Sequence, residues 1–349
     1  MSATTMKSPD DEQQKSSGRR GTRVKPKDSK PKKNKQTNPW RTQKVKMRRG
    51  ESGWSYSFIS PFFIVFLIFG MIPIGYSVWI SFFKWGNDPL DPTHTFVGLQ
   101  NFCCGDASLI RDHLFWLAVR NTFSIFFFST IPQMILALGI ASILRNPRLR
   151  GRLFWQTMLL VPNITSVVAV AAVFGQLYGR DFGLFNYVLT HWFGIGRIDW
   201  QENTLASHIA IASMITWRWL GYNSLIFLAS MNAIPKDLYE SASLDGANRF
   251  QQFRFVTLPQ LRNTITFMLI MGTIGGLSVF AEPQTFGGSN LGGDNSQFLT
   301  LTMYLFHYVN DVGSYGYAAT IGIGITIIVM IFSGLNFYLT RKIASEDSK

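Results

Sequence analysis

Six long apolar segments constrain this chain more than any other feature of its sequence. Each has few charges and about 20 or more residues, the length that an α-helix needs to cross the hydrocarbon core of a bilayer. They occupy residues 58–83, 115–144, 154–178, 205–230, 264–286 and 317–340. The pattern predicts an all-α integral membrane protein with six transmembrane helices.

The charges between these segments predict how the helices are oriented. Connections 145–153 and 231–263 each hold four Lys or Arg residues, whereas 84–114, 179–204 and 287–316 hold no excess of them. Lys and Arg accumulate in cytoplasmic connections. The first two connections are therefore predicted to be cytoplasmic and the other three to face outward, with both termini cytoplasmic.

The chain begins with a strongly basic region. Residues 1–53 carry sixteen Lys or Arg and five Asp or Glu, and thus most of the net charge of +13. Their few apolar residues predict a disordered cytoplasmic tail. Because this tail leads directly into an apolar segment, we interpret it as an orientation signal that contacts membrane lipid, with no nucleic acid partner. The first transmembrane helix and outer loop follow at 54–114, a five-helix core at 115–341 and a short cytoplasmic tail at 342–349.

Nothing in the sequence points to catalysis or to a metal. Cys103 and Cys104 are the only cysteines, and the five histidines are scattered without metal-ligand spacing. The phosphate-binding pattern G-x-x-x-x-G-K-[ST] is absent from the sequence. We predict no catalytic residue, no metal and no bound cofactor in this chain.

The stretch ESASLDGANRFQQFRFVTLP, residues 240–259, lies within the basic connection 231–263. Pro235 favours a helix that begins there. Gly246 interrupts this helix and allows a backbone turn that a side chain would obstruct. A second short helix is predicted over 248–257. The connection is thus predicted to fold as helix, turn and helix.

One face of that second helix is apolar. Phe250, Phe253 and Val256 recur at spacings of three, which places them on the same side. They can pack against the helix ends of this chain or against a partner protein, and the residues alone leave both alternatives open.

The same stretch carries a recognisable spacing. Glu240-Ser241-Ala242, three residues, Gly246, nine residues and Val256-Thr257-Leu258-Pro259 resemble the EAA loop of ABC importer permeases. That pattern is Glu-Ala-Ala, x3, Gly, x9, Ile-x-Leu-Pro, from which Ser241 and Val256 depart. The resemblance implies a coupling helix that seats in a cytoplasmic ATPase subunit. The ATPase-coupling residues that it implies are Glu240, Ser241, Ala242, Asp245, Gly246, Ala247, Val256, Leu258 and Pro259.

The resemblance extends over about residues 54–340. The stretches SFFKW, FVGLQNF, LVPNITSVVAVAAVFGQLYGRDFGLFN and WRWLGYNSLIFLASMNAIPKDLYESASLDGA resemble the sugar branch of these permeases. It implies a permease subunit of an ATP-driven, binding-protein-dependent importer of di- or oligosaccharides in the cell membrane of a prokaryote. The implied partners are a second homologous permease, two cytoplasmic ATPase subunits that hold ATP and Mg, and an extracellular or lipid-anchored sugar-binding protein.

The substrate route is predicted from polar residues within the apolar segments. An ionisable side chain there is costly and marks a functional position by default. Arg218, within TWRWLGYN, is the leading example, although it could instead extend to the membrane surface beside an interfacial Trp217 and Trp219. The predicted substrate-pathway residues are Asn121, Arg218, Trp219, Tyr222, Asn223 and Glu282.

An ion-gradient-driven secondary carrier or channel is the alternative function. Six spans are compatible with it, but such carriers often contain a repeated half. No internal repeat is evident in this sequence, and a carrier of that kind has no need of an EAA loop.

Overall fold

The computed structural model describes residues 51–86, 94–105, 108–287 and 291–346. Residues 1–50 of the predicted basic tail and 347–349 of the predicted C-terminal tail lie outside the described residues. The chain divides into two units, Met1–Ser60 and Pro61–Lys349. In the first unit, residues 51–60 are helical, and the Ser60 hydroxyl donates to the Ser57 carbonyl at 2.8 Å.

The described residues are predominantly helical, with one short hairpin. The α-helices are α1 Glu51–Phe66, α2 Ile72–Ile80, α3 His113–Leu144, α4 Arg152–Ile164, α5 Val167–Leu177, α6 Leu184–Phe193, α7 Thr204–Asn232, α8 Lys236–Leu244, α9 Arg249–Gln252, α10 Leu258–Gln260, α11 Arg262–Leu277, α12 Ala281–Gly287, α13 Leu301–His307 and α14 Tyr315–Glu346. Four π-helical turns lie at Leu67–Met71, Gln100–Cys104, Phe253–Thr257 and Tyr308–Val312. Strands β1 Phe83–Lys84 and β2 Thr95–Phe96 pair antiparallel, Phe83 opposite Phe96.

Among the described residues, three helices are long and apolar enough to cross a membrane: Tyr56–Ile80, His113–Leu144 and Tyr315–Thr340. The bent pairs α4–α5 and α11–α12 raise the number to five if each pair is one span. The predicted fourth span corresponds to the 29-residue helix α7, which is long enough but more polar, since it carries His208 and Arg218. The count of six and the cytoplasmic termini remain predictions.

The third apolar segment is not the single helix that its composition predicts. α4 and α5 meet at an angle of 93°. Thr165 and Ser166, between them, take extended backbone with ψ of 143° and 130°. Pro162 stands in the last turn of α4, where its ring removes a backbone donor. Hydropathy measures apolarity along the chain but not backbone direction, which is why this break was not predicted.

The fifth segment also bends, by 40° between α11 and α12. The bend leaves the carbonyl of Val279 outside a regular helix. The hydroxyl of Thr300 donates to this carbonyl at 3.0 Å and that of Thr302 at 2.5 Å. A buried carbonyl without a donor would be costly, so these two threonines stabilise the bend.

The core of the second unit lies along the packed helices α3 and α7. At their loop end, Met134, Ala141, Phe227 and Met231 are buried together with Leu261, which precedes α11. A second buried cluster, at the other end, joins the start of α3 to α13 and α14 through Phe115, Leu299, Leu301, Tyr304 and Ile321.

Asp112 ties three of these elements together. Its Oδ1 accepts from the backbone N–H groups of Leu114 and Phe115, which caps the N-terminus of α3. Its Oδ2 accepts from the hydroxyl of Tyr304 and, at 2.6 Å, from that of Tyr317. Burial raises the pKa of Tyr304, and the hydrogen bond to Asp112 adds to this shift. The phenol thus stays protonated and keeps donating.

Candidate functional site

The loop between α7 and α11 forms the predicted helix, turn and helix. α8 begins directly after Pro235, and Asp237 lies in its first turn, where a negative charge is favourable. After α8 the chain reverses at Gly246, whose φ is +81°. The Ala247 N–H then donates to the Ala242 carbonyl at 2.9 Å. A Cβ at Gly246 would meet nothing within 4 Å, so this position favours glycine for its backbone conformation alone.

The second helix begins at a reciprocal cap. The Asn248 side chain accepts from the Gln251 N–H at 2.9 Å, and the Gln251 side chain accepts from the Asn248 N–H at 2.7 Å. The helix is α-helical only over Arg249–Gln252 and continues as the π-helical turn Phe253–Thr257.

The expected common face of Phe250, Phe253 and Val256 is therefore wrong. Phe253 packs into the loop-end core and Val256 is half-buried, whereas Phe250 is 75% exposed. The π-helical turn adds a residue to the repeat, so a spacing of three no longer keeps these side chains aligned.

The loop is anchored to α3 by one tyrosine. Arg145, which follows α3, donates from Nη1 to the Tyr239 hydroxyl at 2.5 Å, and its guanidinium carbon lies 4.3 Å from the centre of the Tyr239 ring. The same hydroxyl lies 2.9 Å from the Thr257 hydroxyl. The connections 145–153 and 231–263, which charge counting assigned to one side, thus meet at the same end of the helices.

Three large apolar side chains of this loop remain uncovered. Leu244 is 90% exposed, Phe250 75% and Phe255 71%. We call these three residues the apolar tip. The predicted coupling residues surround them: Glu240, Ser241, Asp245, Gly246 and Pro259 are exposed, and Ala242, Ala247, Val256 and Leu258 are half-buried.

A cavity of about 540 Å³ lies between α3, α7 and α11–α12. Four of the predicted pathway residues line it: Trp219, Tyr222, Asn223 and Glu282. Trp219 and Tyr222 meet edge to face with ring centres 5.9 Å apart. The volume suits a small organic ligand, since ligand pockets commonly enclose about 300–1,000 Å³.

Arg218 lies behind this wall and does not reach the surface. Its Nη1 donates to Glu282 Oε1 at 2.5 Å, and the two side chains are only 15% and 9% exposed. The alternative in which Arg218 extends to the membrane surface is therefore wrong. The pair joins α7 to α12 through two residues that are 64 positions apart in the chain.

Asn121 lies outside the cavity. It is completely buried, and its Nδ2 donates to the Ser296 carbonyl at 3.0 Å, so it holds an outer segment against α3. The cavity gives no support to its place in the substrate pathway, which stays a prediction, since a polar residue in an apolar segment can equally satisfy a distant backbone group.

Three polar residues of α3 were missed. Ser129, Thr130 and Gln133 line the cavity opposite the aromatic residues of α7. Gln133 follows Thr130 by three residues and Ser129 by four, a spacing that indicates a shared helix face within an otherwise apolar span. Gln133 is 6% exposed, and its Nε2 has no hydrogen-bond partner.

Comparison with known proteins gives one family match. The model of the binding-protein-dependent transport system inner membrane component family matches residues 111–345.

Several curated proteins are similar over most of their length. The lactose transport system permease protein LacF of Rhizobium radiobacter is 33% identical over 83% of this chain and 94% of that protein. The trehalose/maltose transport system permease protein MalF of Thermococcus litoralis is 32% identical over 84% and 94%. The arabinooligosaccharides transport system permease protein AraP of Halalkalibacterium halodurans is 30% identical over 84% and 89%.

Two solved structures share the fold. A chain of a bacterial ABC transporter involved in the import of the acidic polysaccharide alginate superposes with a TM-score of 0.69 at 23% identity, covering 84% of this chain and 97% of that one. A chain of the alginate transporter in complex with its pentasaccharide-bound periplasmic protein gives 0.68 at 22% identity, covering 84% and 96%.

Proposed function

The chain belongs to the binding-protein-dependent transport system inner membrane component family, and from this premise we propose that it carries a di- or oligosaccharide across the membrane. It is a permease subunit, a multi-pass membrane protein of a prokaryote. Such a subunit is not itself a catalyst. Relatives named for lactose, trehalose/maltose and arabinooligosaccharides support the sugar class. An ion-gradient-driven carrier finds no support among these matches.

The loop between α7 and α11 supports the second part of the proposal, which is that this chain couples transport to a separate ATPase. The apolar tip lies on a loop whose second helix is capped by Asn248 and Gln251 and which is anchored through Tyr239. Three large, mostly exposed apolar side chains within one short loop favour a protein–protein contact. The loop therefore has a rigid frame and an uncovered surface, as an element that transmits movement requires.

The partners in this proposal are those that the resemblance to ABC importer permeases implies. Two cytoplasmic ATPase subunits with ATP and Mg seat the loops of this chain and of a second, homologous permease. A sugar-binding protein delivers the substrate from the opposite side. In this arrangement both termini are cytoplasmic, and the basic tail contacts lipid.

The cavity is the proposed substrate pathway of this subunit. Trp219 and Tyr222 offer aromatic faces to sugar rings, while Asn223 and Gln133 offer amide groups to hydroxyls. Mixed aromatic and amide walls of this kind orient small ligands by a few polar contacts within an apolar pocket.

Co-purification of a tagged chain from its native host tests the coupling assignment. Leu244→Lys places a charge in the apolar tip without touching the core, because Leu244 is 90% exposed. Phe182→Lys is the matched control, since Phe182 is 99% exposed in the connection between α5 and α6. Gly246→Asp tests the turn, and we expect it to stay in the membrane but to lose coupled ATP hydrolysis.

We expect an ATPase subunit to accompany the wild type and Phe182→Lys and to be lost from Leu244→Lys. If Leu244→Lys retains the ATPase and transports sugar as the wild type does, this loop does not couple the ATPase to transport. If the wild type retains a second permease but no ATPase, the importer assignment is wrong and the carrier alternative returns.

A further inference from the structure

The wall of the cavity between α3, α7 and α11–α12 has an unusual distribution of charge. Of the described residues that line it, Glu282 is the only one with a formal charge at neutral pH. The other polar side chains of the lining carry hydroxyls, amides or an indole N–H, and they belong to Ser129, Thr130, Gln133, Trp219, Tyr222, Asn223 and Ser278. A ligand in this cavity thus meets one carboxylate and no cation in the wall.

The nearest cation is already engaged. Arg218 is not part of the lining, and its Nη1 is 2.5 Å from Glu282 Oε1. Its Nε is buried without a hydrogen-bond partner. Because Glu282 lines the cavity and Arg218 does not, the pair presents its carboxylate to a ligand and keeps its guanidinium out of the lining.

Glu282 is held in place from both ends of its helix. The carbonyl of Val279, just before α12, accepts from Thr300 and Thr302. At the other end, Gln201 Nε2 donates to the Phe286 carbonyl at 3.2 Å. These bonds fix α12, so the carboxylate cannot move aside with its helix to admit a second negative group.

The opposite wall supplies an unused donor. The Nε2 of Gln133, on α3, is free of partners although the residue is 6% exposed. A sugar hydroxyl can accept a hydrogen bond from this amide and donate one to a carboxylate. A ligand carboxylate can only accept, and it would also share the cavity with the carboxylate of Glu282, whose side chain is only 9% exposed and is therefore poorly screened.

We propose that the Arg218–Glu282 pair makes this cavity selective for neutral sugars over sugars that carry carboxylates. This selectivity rests on the proposed function, because it assumes that the cavity takes sugars. Glu282 is the specificity-determining residue, and Arg218 positions its carboxylate.

Direct binding to the purified complex that contains the full-length chain tests this selectivity. The complex is placed in lipid nanodiscs without the binding protein, whose own preference would otherwise enter. Saturation-transfer NMR, which detects weak ligands, is recorded with lactose and maltotriose and with the same sugars oxidised from CH2OH to carboxylate at C6. The measured quantity is the ratio of neutral to oxidised sugar binding.

Two variants and one control separate the roles of the charges. Glu282→Gln leaves Arg218 as an uncompensated cation beside the cavity. Glu282→Gln combined with Arg218→Gln removes both charges and leaves no lone buried ion, so it decides the question if the single variant fails to fold. Asp181→Asn deletes a carboxylate from the exposed Arg197–Asp181 pair and is the matched control.

We expect the wild type and Asp181→Asn to bind the neutral sugars at least about tenfold better than the oxidised ones. The ratio should fall at least about tenfold in Glu282→Gln and by a smaller factor in the double variant, because an ionised carboxylate still loses its hydration in a neutral cavity. The selectivity is wrong if the ratio is near one in the wild type or is unchanged in the folded variants. Neither outcome contradicts the proposal that the cavity binds sugars. If no neutral sugar binds the wild type, the sugar pathway itself is wrong and the selectivity falls with it.

Discussion

A methyl group added at Gly221 would collide with the backbone of a neighbouring helix. Gly221 lies on α7 where it crosses α4, and a Cβ there would stand 1.7 Å from the Leu159 carbonyl oxygen and 2.4 Å from its carbon. The obstacle is main chain, so no side-chain rotation can relieve it. Small residues at helix crossings allow such close approach in membrane proteins.

The expected loss of stability follows from the overlap between the added methyl group and the Leu159 backbone. To bring that Cβ to an ordinary van der Waals distance, α4 and α7 would have to separate by about 1.5 Å or more, which forfeits much of the dispersion energy between them. Overpacking usually costs about 1–3 kcal/mol. Because backbone blocks the methyl group, we expect Gly221→Ala to lie near 3 kcal/mol, roughly a 6–12 °C fall in the unfolding midpoint for a domain of this size.

The assay is thermal unfolding of the detergent-solubilised complex, followed by the loss of its monodisperse size-exclusion peak. Gly139→Ala is the matched control, since Gly139 lies within α3 and a Cβ there meets nothing within 4 Å. Alanine is the better helix former by up to about 1 kcal/mol, so this control should be neutral or slightly stabilising. Equal midpoints for Gly221→Ala and Gly139→Ala would refute the close α4–α7 contact.

Two further substitutions test the anchors of the loops. Tyr239→Phe removes the hydroxyl that joins Arg145 to Thr257, and we expect about 1–2 kcal/mol less stability and fewer sugars imported per ATP hydrolysed, measured in proteoliposomes. Asn186→Ala removes a 2% exposed side chain that donates to the Ile198 carbonyl and accepts from Trp200 Nε1, among five bonds in the connection between α5 and α7. We expect it to lower the unfolding midpoint by several degrees and to increase proteolysis of this connection, whereas a wild-type digestion pattern would contradict the role of Asn186.

The sequence predicts where the helices lie because apolarity is a local property. Five of the six apolar segments match candidate spans or bent helix pairs, and the remaining one, the fourth, matches α7. Their breaks were not predictable in the same way. The bend after α11 depends on Thr300 and Thr302, which lie more than 20 residues away and satisfy the Val279 carbonyl. Such long-range compensation leaves no trace in hydropathy.

The candidate functional residues show the same contrast between local signals, which the sequence reveals, and distant partners, which it does not. The turn at Gly246 was predictable because a positive φ favours glycine at one defined position. Arg218 and Glu282 were each conspicuous as charges in apolar segments, but nothing local indicates that they pair with each other. Asn121 was equally conspicuous and is instead bonded to Ser296. A polar residue in a span therefore predicts a need for a partner, not what that partner is.

The loop and the cavity share their supporting helices, which bears on how a movement at one could reach the other. α7 carries the cavity residues 219–223 and enters the loop nine residues later, about 14 Å along the helix axis. α11, which also lines the cavity, leaves the other end of the same loop. α3, the third wall, is tied to it through Arg145 and Tyr239. If the apolar tip docks on an ATPase as proposed, a push on the loop acts on all three walls at once. The Arg218–Glu282 pair also joins α7 to α12, so these two parts of the wall are held to each other.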